Sequence, residues 1–400
     1  MMKILVLNCG SSSIKYKLFD MTSKKVVAQG GIEKIGLPGS FLKITLPNDE
    51  KVVLEKDIPE HTVGIEFVLN TLVGEKYGCI KQLDEISAVG HRIVHGGEKF
   101  NRSVRLTEEV IQEIEACSDL APLHNPANLK GVFTISKLLP KVPQVGVFDT
   151  AFHQTMPNYA FMYALPYEYY KKYGVRRYGF HGTSHRYVAK RVCEFLGVES
   201  KGKRIITCHI GNGGSISAVK DGKSIDTSMG LTPVEGLMMG TRSGDVDAGA
   251  LTFLMDKEGL DSQGVSNLVN KKSGVLGVSG VSSDMRELAA AADKGEERAI
   301  LAQDMYYYRI KKYIGAYTAV LGGVDIIVFT GGVGENQVAC RERVCQGLEY
   351  LGIEIDEAAN KKTQGVEAVV SSKDSKVDVV VIPTDEEYMI ASDTASILAM

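Results

Sequence analysis

The sequence predicts an α/β protein made of two similar halves, and three observations lead to this fold class. Segments with the apolar patterns of strands alternate along the chain with segments of helical periodicity. Two stretches about half the chain apart, LVLNCGSSSIKYKLFD and TCHIGNGGSISAVKDG, share a pattern of strand, glycine-rich polar loop and strand. A third glycine-rich loop, GGVGEN, follows another apolar strand. The repeat indicates a duplicated domain, although such hairpins also arise by chance.

Composition and charge exclude several classes of protein. The 400 residues suffice for two or three domains of about 150 residues each, and 44% of them are apolar. The net charge of −3 argues against a nucleic-acid-binding protein with a basic face. No run approaches the roughly 18 apolar residues of a membrane span, and no signal peptide is evident. The seven cysteines form no CxxC pair, so we expect reduced thiols and a cytoplasmic protein.

The first half of the chain mixes strands with a helix. ILVL (4–7) and IKYKLF (14–19) have continuous or alternating apolar residues, as strands do. The segment TEEVIQEIEACSDL (107–120) places its apolar residues at helical spacing. KVPQVGVFDTAF (141–152) is typical of a buried strand that follows a helix-rich region.

The second half repeats this alternation. TSHRYVAKRVCEFLG (183–197) has one apolar helical face and ends at a glycine typical of a helix C-cap. RIITCHIGNGGSISAVKDGK (204–223) returns to strands. VDIIVFTGGVGEN (324–336) is predicted as a strand and then a loop, because its GxG lacks the Rossmann spacing and the helix that should follow. VDVVVIPT (377–384) is predicted as a strand that leads into a terminal helix.

The glycine-rich loops suggest phosphate binding by a route other than the P-loop. The P-loop pattern GxxxxGK[ST] opens a helix, whereas NCGSSSIK leads into a strand that contains Lys15. In such a hairpin, glycine lets the backbone come close, and successive amides and serine hydroxyls can bind an anion. Aligning the two hairpins at their first glycine matches Ser13 with Ser215 if one residue is inserted. A single serine-rich turn usually has no such function, but three loops point to a nucleotide held between two domains.

Two arginines point to an anionic substrate, and one aspartate stands where a strand ends. Arg92 stands in VGHRIVHGGEKF after an apolar strand, and Arg242 stands between glycines in GTRSGDVDAG. The guanidinium fork of each matches a carboxylate or a phosphate, although a single arginine more often forms a surface ion pair. Asp149 ends the strand QVGVFD, where a carboxylate either faces a cleft or serves as a turn or N-cap residue.

The spacing of the histidines does not indicate a zinc site. His91 with His95, and His181 with His185, have the spacing HxxxH. The first pair lies in a strand-like context, and the second pair straddles the start of a helix, so neither presents two ligands on one helical face. We expect these side chains to be neutral hydrogen-bond donors to phosphate.

The terminal segment PTDEEYMIA offers a carboxylate for a metal. Thr384 and Glu387 have the spacing of a capping box, which gives Glu387 a structural task. Glu386 is therefore the freer candidate for a metal, and Asn8 is a candidate to orient a ligand or a metal-bound water. In the stretch SSDMREL, Asp284 and Glu287 are predicted to form an Asx-type helix cap, which leaves Arg286 for contact with a ligand.

In its motifs the chain resembles the acetate kinases, the acetokinase family of the acetate and sugar kinase / heat-shock ATPase / actin superfamily. NCGSSSIK, HRIVHGG, FDTAFH, GFHGTSH, HIGNGGS, GTRSGDVD, GGVGEN and PTDEE stand in the family's order, from Asn8 to Glu386. The resemblance implies two RNase H-like (actin-like ATPase) domains with a nucleotide cleft between them. The N-terminal domain would comprise residues 1–150 and the returning C-terminal helix, 385–400. The nucleotide-binding domain would comprise residues 151–384.

The resemblance also implies an activity and its residues. The activity is reversible transfer of the γ-phosphoryl group of ATP to acetate, giving ADP and acetyl phosphate, with Mg²⁺ or alternatively Mn²⁺. The implied catalytic residues are Asp149, His181 and Arg242. The implied metal site consists of Asn8 and Glu386. The implied acetate site consists of Arg92 and an apolar pocket for the methyl group, formed by Val94, Leu123, Phe180 and Pro233.

The implied nucleotide site is larger, and the family also implies a homodimer. The nucleotide site consists of Lys15, His209, Ile210, Gly211, Asn212, Gly213, Asp284, Met285, Arg286, Gly332, Val333, Gly334, Glu335 and Asn336. The sequence departs from the family pattern at Asp385, where asparagine is expected. The substitution adds a negative charge near the implied metal site without changing the expected reaction.

The acceptor chemistry limits the mechanism. A carboxylate is already ionised at neutral pH, so no general base is needed, and Asp149 is predicted to organise Mg²⁺ and its waters. We expect direct in-line transfer without a phosphorylated enzyme.

Three alternative functions are considered beside acetate phosphorylation. Propionate or another short acid is an alternative acceptor, because one methylene changes binding in an apolar pocket by only about 1–3 kcal/mol. A sugar kinase would need a base and a polar pocket. A non-catalytic nucleotide switch of the actin or chaperone kind would not need the two arginines.

Overall fold

The computed structural model of this protein describes residues 2–399 and divides into two compact units. The first unit runs to Phe152 and resumes at Asp385, and the second unit is His153–Thr384. Each unit has its own sheet and its own apolar core. Within residues 2–399, no helix combines the length and the apolar character needed to cross a membrane.

The first unit contains an eight-stranded sheet and the helices that cover it. Its strands are β1 (Lys3–Cys9), β2 (Ile14–Asp20), β3 (Lys25–Glu33), β4 (Phe41–Thr45), β5 (Lys51–Glu55), β6 (Ile86–Ile93), β7 (Val104–Arg105) and β8 (Gln144–Phe148). Its α-helices are α1 (His61–Val73), α2 (Glu108–Ala116), α3 (Asn125–Leu138) and the C-terminal α15 (Glu386–Leu398). Short 3₁₀ helices lie at Leu83–Glu85, Ser118–Leu120 and, across the boundary with the second unit, Ala151–Thr155.

Strand β1 shows how this sheet is buried on both faces. Leu5 and Leu7 pack in the core that contains residues of α1 and α3, whereas Ile4 and Val6 pack in the core that contains residues of α15. Successive side chains of a strand point to opposite faces, so a strand between two layers of helices must be apolar throughout. This is why the run ILVL has no polar residue.

The second unit contains a six-stranded sheet. Its strands are β9 (Arg204–Ile210), β10 (Gly214–Lys220), β11 (Lys223–Thr227), β12 (Ile326–Thr330), β13 (Ala368–Val369) and β14 (Asp378–Val381). Its α-helices are α4 (Asn158–Phe161), α5 (Tyr167–Tyr173), α6 (Gly182–Leu196), α7 (Ala248–Glu258), α8 (Ser262–Lys271), α9 (Gly274–Ser279), α10 (Met285–Asp293), α11 (Glu297–Leu321), α12 (Gly331–Asn336), α13 (Val338–Cys345) and α14 (Glu357–Lys362). A 3₁₀ helix lies at Glu349–Leu351.

The two sheets share the order of five strands, which confirms the α/β prediction. The order is β3-β2-β1-β6-β8 in the first unit and β11-β10-β9-β12-β14 in the second. In each unit adjacent strands among the first three of this order are antiparallel, and the last two strands pair in parallel with the third strand and with each other. The repeated strand–loop–strand pattern of the sequence therefore corresponds to a repeated topology.

The register of the two hairpins corrects the predicted alignment. Asn8 pairs with Lys15 in the first hairpin, and His209 pairs with Ser215 in the second. Ser215 therefore corresponds to Lys15 and not to Ser13. The second loop is one residue shorter than the first. The alignment therefore needs its gap in the second hairpin, whereas the prediction placed the gap in the first.

The segment GGVGEN also differs from the prediction of a loop. It forms helix α12, which begins directly after β12. Gly331 makes this abrupt change possible, because its φ is +77° and a Cβ there would lie 2.8–2.9 Å from backbone atoms of Ile210. Only glycine fits such a left-handed position against a neighbouring backbone.

The start of α15 differs from the predicted capping box. The N-cap residue is Asp385, whose Oδ1 accepts a hydrogen bond from the backbone N–H of Tyr388 at 3.0 Å. Glu387 instead accepts a hydrogen bond from Lys17 Nζ at 3.2 Å. Thr384 is thus not the cap. Aspartate and asparagine are both good N-caps, so Asp385 fills this structural role in place of the expected asparagine.

Candidate active site

A buried ion pair lies at the ends of two parallel strands of the first unit. Arg92 lies within β6, one residue before its end, and not in a loop after the strand as predicted. Asp149 directly follows β8, the neighbour of β6. Arg92 donates from Nε to Asp149 Oδ1 at 3.0 Å and from Nη2 to Oδ2 at 2.6 Å. This bidentate pair fixes the plane of the guanidinium.

The two partners of this pair differ in exposure. Asp149 is 1% exposed, whereas the Arg92 side chain is 26% exposed. Burial opposes the charge of Arg92, but the charge and hydrogen bonds of Asp149, together with the charges of Glu386 and Glu387, outweigh it, and the net effect raises the pKa of the guanidinium. Arg92 is therefore a permanently charged donor whose outer edge is accessible to an anion, with a buried carboxylate behind it.

Two predicted metal ligands lie near this pair. Asn8, near the end of β1, has its Oδ1 3.4 Å from Arg92 Nη1. Glu386 is the first residue of α15, and burial raises the pKa of its carboxyl to about 7. Arg92 acts against that rise, whereas the charges of Asp149 and Glu387 add to it. A cation would offset this excess of carboxylates, and amide and carboxylate oxygens are the ligands that Mg²⁺ prefers, so the residues fit the ion.

Three predicted residues of the second unit meet at the loop between β9 and β10. A Cβ added to Gly213 would lie 3.2 Å from Arg242 Nη1 and 3.9 Å from His181 Nε2. The missing side chain of Gly213 therefore leaves the space beside both donors open. His181 is the N-cap residue of α6 with φ of +54°, a left-handed conformation that is uncommon for a residue other than glycine.

Arg242 is held less firmly than Arg92. Its Nη1 lies 3.4 Å from the carbonyl oxygen of Pro233 and 3.7 Å from Met239 Sδ. No carboxylate in residues 2–399 forms an ion pair with it. Burial lowers the pKa of this guanidinium, which nevertheless stays charged because arginine is protonated in proteins. A partly buried cation without an acidic partner is suited to bind an anion.

His181 stacks on a second predicted residue. The rings of His181 and His209 have centroids 4.3 Å apart and an interplanar angle of 28°. His209 Nδ1 is 2.7 Å from Ser184 Oγ, which is also 2.7 Å from Thr384 Oγ1. The side chain of His209 is therefore fixed by hydrogen bonding and supports the His181 ring from one face.

A cavity of about 690 Å³ lies in the second unit beside the same loop. Eight predicted nucleotide-binding residues line it: Gly211, Asn212, Asp284, Met285, Arg286, Gly332, Val333 and Asn336. Five lining residues were missed by sequence reasoning: Gly240, Ser283, Tyr306, Gln337 and Gln364. For Gly240 the sequence did contain an indication, because this residue stands in the glycine-flanked motif of Arg242. Tyr306 and Gln364 come from a long helix and a turn that carry no phosphate-binding pattern.

Six other residues of the predicted nucleotide site do not line this cavity. They are Lys15, His209, Ile210, Gly213, Gly334 and Glu335. Glu335 has a structural task, since its Oε1 accepts hydrogen bonds from Thr330 Oγ1, Gly331 N and Thr384 N at 2.8–3.2 Å. Lys15 is an exposed residue of β2 in the first unit.

Arg286 has a partner that the sequence did not suggest. Its Nη2 donates to Asp284 Oδ2 at 2.6 Å, and its Nε donates to Asp284 Oδ1 at 3.1 Å. Asp284 also caps α10 by accepting from the Arg286 backbone N–H, as predicted. Arg286 therefore has an ion-pair partner two residues away, while its side chain, 83% exposed, lines the cavity.

The four residues of the predicted methyl pocket differ in burial. Val94 in the first unit and Phe180 in the second are 4% and 3% exposed. Pro233 is half-buried beside Arg242, whereas Leu123 is 74% exposed. Val94 is held by its backbone N–H, which donates to Asn128 Oδ1 at 3.0 Å. Leu123 thus presents an apolar side chain to solvent.

Comparison with known proteins identifies the family of this chain. The family model described as the acetokinase family matches residues 3–392. The chain is 75% identical to the acetate kinase of Bacteroides thetaiotaomicron, covering 99% of this chain and 100% of that protein. The crystal structure of Porphyromonas gingivalis acetate kinase matches with a TM-score of 0.97 and 66% identity, covering 100% of both chains. A propionate kinase from Francisella tularensis subsp. tularensis SCHU S4 matches with a TM-score of 0.92 and 41% identity, covering 99% of this chain and 100% of that chain. The chain belongs to the acetokinase family.

Proposed function

We propose that the protein transfers the γ-phosphoryl group of ATP to acetate, giving ADP and acetyl phosphate, and catalyses the reverse reaction. The observation that carries this proposal is the loop between β9 and β10. Gly211 and Asn212 of this loop line the cavity, while Gly213 opens the space beside Arg242 and His181. A cavity for a nucleotide next to two donors for a phosphoryl group is the arrangement that phosphoryl transfer requires.

Arg92 and Arg242 are proposed to bind different anionic groups of the substrates. Arg92, held in plane by Asp149, is proposed to bind the acetate carboxylate through its exposed edge. Arg242, which has no acidic partner in residues 2–399, is proposed to bind the phosphoryl group in flight together with His181. Both oxygens of Asp149 accept from Arg92, so this carboxylate orients a donor and is not positioned as a free base.

Mg²⁺ is the proposed metal, with Mn²⁺ as an alternative. Asn8 and Glu386 would hold it, since their oxygens lie in a region with excess carboxylate charge. When bound, the ion neutralises charge on the phosphate oxygens. Asp149 is proposed to accept hydrogen bonds from waters of this site with the lone pairs that Arg92 leaves available.

The first prediction concerns the acceptor acid. We expect acetate to support ADP formation with the highest kcat/KM, followed by propionate and then butyrate. Propionate is expected to fall behind by roughly 10- to 200-fold, since one methylene is worth only about 1–3 kcal/mol in an apolar pocket. The measurement is coupled ADP release with each acid at several concentrations, with and without Mg²⁺.

Two results of this assay would contradict the proposal. A higher kcat/KM with propionate than with acetate would mean that the protein acts as a propionate kinase, as the relative from Francisella tularensis is named. ATP hydrolysis unaffected by any acid would favour a nucleotide switch. Intact-mass analysis after incubation with ATP alone is expected to show no covalent phosphate, and a phosphorylated intermediate on the reaction path would exclude direct in-line transfer.

The second prediction tests the cavity as the nucleotide site. A Cβ at Gly240 would collide with Asn212 Oδ1 and lie 3.0 Å from the Ser283 carbonyl oxygen. Gly240→Ala is therefore expected to displace Asn212 and raise KM for ATP by about tenfold, equivalent to about 1.4 kcal/mol. KM for acetate should stay the same. Gly315→Ala is the matched control, because a Cβ at that helical position meets no atom within 4 Å.

We also propose that the protein is a homodimer. Helix α7 has the apolar sequence AGALTFLMDKE, yet none of its residues is buried, and Phe253 is 58% exposed. An apolar helix without a covering element is typical of a surface that associates with another molecule. Sedimentation equilibrium would give the mass in solution, and a monomer would remove this part of the proposal.

The proposed location is the cytoplasm. All seven cysteines are free thiols, and six of them are buried. Proteins of oxidising compartments more often pair their cysteines, whereas the cytosol keeps thiols reduced. The substrates ATP and ADP belong to the same compartment.

A further inference from the structure

A chain of hydrogen bonds connects a buried threonine of β9 to His181. His185 Nδ1 lies 2.7 Å from Thr207 Oγ1, and His185 Nε2 lies 2.7 Å from Ser215 Oγ. Ser215 Oγ lies 2.9 Å from His181 Nδ1. Thr207, His185 and Ser215 are each 0% exposed. None of these three residues touches a substrate in the proposed mechanism.

The number of hydrogens limits how this chain can be arranged. Ser215 has one hydroxyl hydrogen and contacts two imidazole nitrogens, so it can donate to only one of them. If it accepted from both rings, its own buried hydrogen would have no acceptor among the described residues, so it donates to one ring and accepts from the other. In the first arrangement, His185 Nε2–H donates to Ser215, whose hydroxyl donates to His181 Nδ1. In the second, His181 Nδ1–H donates to Ser215, whose hydroxyl donates to His185 Nε2.

Thr207 distinguishes the two arrangements. In the first, the Thr207 hydroxyl donates to the bare Nδ1 of His185. In the second, Nδ1 of His185 carries the hydrogen, and the Thr207 hydroxyl hydrogen has no acceptor among the described residues. A buried donor without an acceptor costs about 1–3 kcal/mol, so the first arrangement is favoured. Burial, together with His153 and His209, lowers the pKa of His185 well below its usual range, which keeps this ring neutral.

The favoured arrangement fixes the hydrogen of His181. We infer that Thr207, His185 and Ser215 are positioning residues that set the His181 tautomer, with Nδ1 accepting and Nε2 carrying the hydrogen. His181 Nε2 is the ring nitrogen that lies on the open side of Gly213, as does Arg242 Nη1. This inference rests on the proposed function, because the transferring phosphoryl group is the acceptor that Nε2–H would meet.

The opposite tautomer would be unfavourable for this chemistry. A bare Nε2 would direct its lone pair toward an anionic phosphoryl group, which repels it, whereas Nε2–H donates a hydrogen bond to that charge. Donors that are fixed before the reaction need no reorganisation when charge develops. The hydrogen bonds that begin at the buried Thr207 thus affect turnover by fixing the donor of His181, although Thr207 itself does not contact the substrate.

Kinetics of two matched pairs of variants test this inference. Ser215→Ala removes the link to His181, and Ser217→Ala is its control, since Ser217 is also 0% exposed and lies on the same strand. Thr207→Val removes the terminal donor with little change of shape, and Thr207→Ser keeps it. We expect Ser215→Ala and Thr207→Val to lower kcat roughly 10- to 100-fold with little change in either KM. Ser217→Ala and Thr207→Ser are expected to stay near wild type.

NMR can determine the tautomer of His181 directly, without a measurement of kcat. Long-range ¹H–¹⁵N NMR spectra distinguish Nε2–H from Nδ1–H rings, and the His181 signals can be assigned by their loss in His181→Gln. We expect wild-type His181 to be the Nε2–H tautomer and Ser215→Ala to populate Nδ1–H as well. If Ser215→Ala does not fold, the variants Thr207→Val and Thr207→Ser allow the same comparison of the His181 tautomer. Thr207 is two hydrogen bonds farther from His181 than Ser215 is.

Each outcome decides one of the two proposals. Wild-type His181 in the Nδ1–H form, or an unchanged kcat in both Ser215→Ala and Thr207→Val, would overturn the inference. Wild-type protein with the Nε2–H tautomer but no acetate-dependent ADP formation would overturn the proposed function and support the direction of the hydrogen bonds.

Discussion

Arg242→Ala is expected to lower kcat by about 10³-fold or more, with much smaller changes in KM for ATP and acetate. Removal of one donor to a developing oxyanion typically lowers kcat by about 10²–10³-fold. An arginine that stabilises the transition state of phosphoryl transfer typically raises kcat by about 10³–10⁵-fold. The structure supports the larger effect, because Arg242 is partly buried and has no acidic partner in residues 2–399 that would weaken its field. Steady-state kinetics in both directions measure the loss.

Controls separate the charge of Arg242 from its shape. Arg242→Lys keeps the positive charge but lacks the planar fork, so we expect it to recover only part of the lost turnover. Arg102→Ala is the matched control, since Arg102 is an exposed arginine with the same loss of charge. Thermal unfolding of Arg242→Ala should resemble that of wild type, because the guanidinium makes only long contacts at 3.4 and 3.7 Å. A kcat within a few-fold of wild type would remove Arg242 from the reaction.

Much of the fold was predictable because its signals are local. The apolar run of β1, the helical spacing of α2 and the C-cap glycine of α6 each reflect burial or backbone conformation over a few residues. The duplication was visible because both hairpins carry glycine at the same place. The short helix α12 was not predicted, since it depends on Gly331 fitting against the backbone of Ile210, a contact with a residue far away in the sequence.

The site was predictable where a motif stands beside a strand end, and less so elsewhere. Arg92 lies near the end of β6 and Asp149 follows β8, and the parallel pairing of these strands brings the two residues together. The partner of Arg286 and the cavity wall at Tyr306 depend on side-chain directions, which the sequence does not specify. Thr207, His185 and Ser215 look like ordinary core residues of two strands and a helix, so only their hydrogen-bond geometry identifies them.

Arg92→Ala is expected to raise KM for acetate strongly and to destabilise the first unit by about 3–5 kcal/mol. The destabilisation arises because Asp149, at 1% exposure, would be left as a buried carboxylate without its partner. The kinetic loss arises because the carboxylate of acetate would lose a bidentate donor. Urea denaturation and acetate saturation curves measure the two effects on the same preparation.

The double variant Arg92→Ala/Asp149→Asn separates these two effects. Asparagine at position 149 removes the uncompensated charge, so stability should recover by about 2–3 kcal/mol relative to Arg92→Ala alone, because the desolvation cost of an amide is smaller than that of a carboxylate. Acetate binding should not recover, since the guanidinium is still missing. Arg92→Lys should lie between wild type and Arg92→Ala in both respects. A double variant that regained wild-type KM for acetate would mean that Arg92 only neutralises Asp149, and the carboxylate would then have to bind elsewhere.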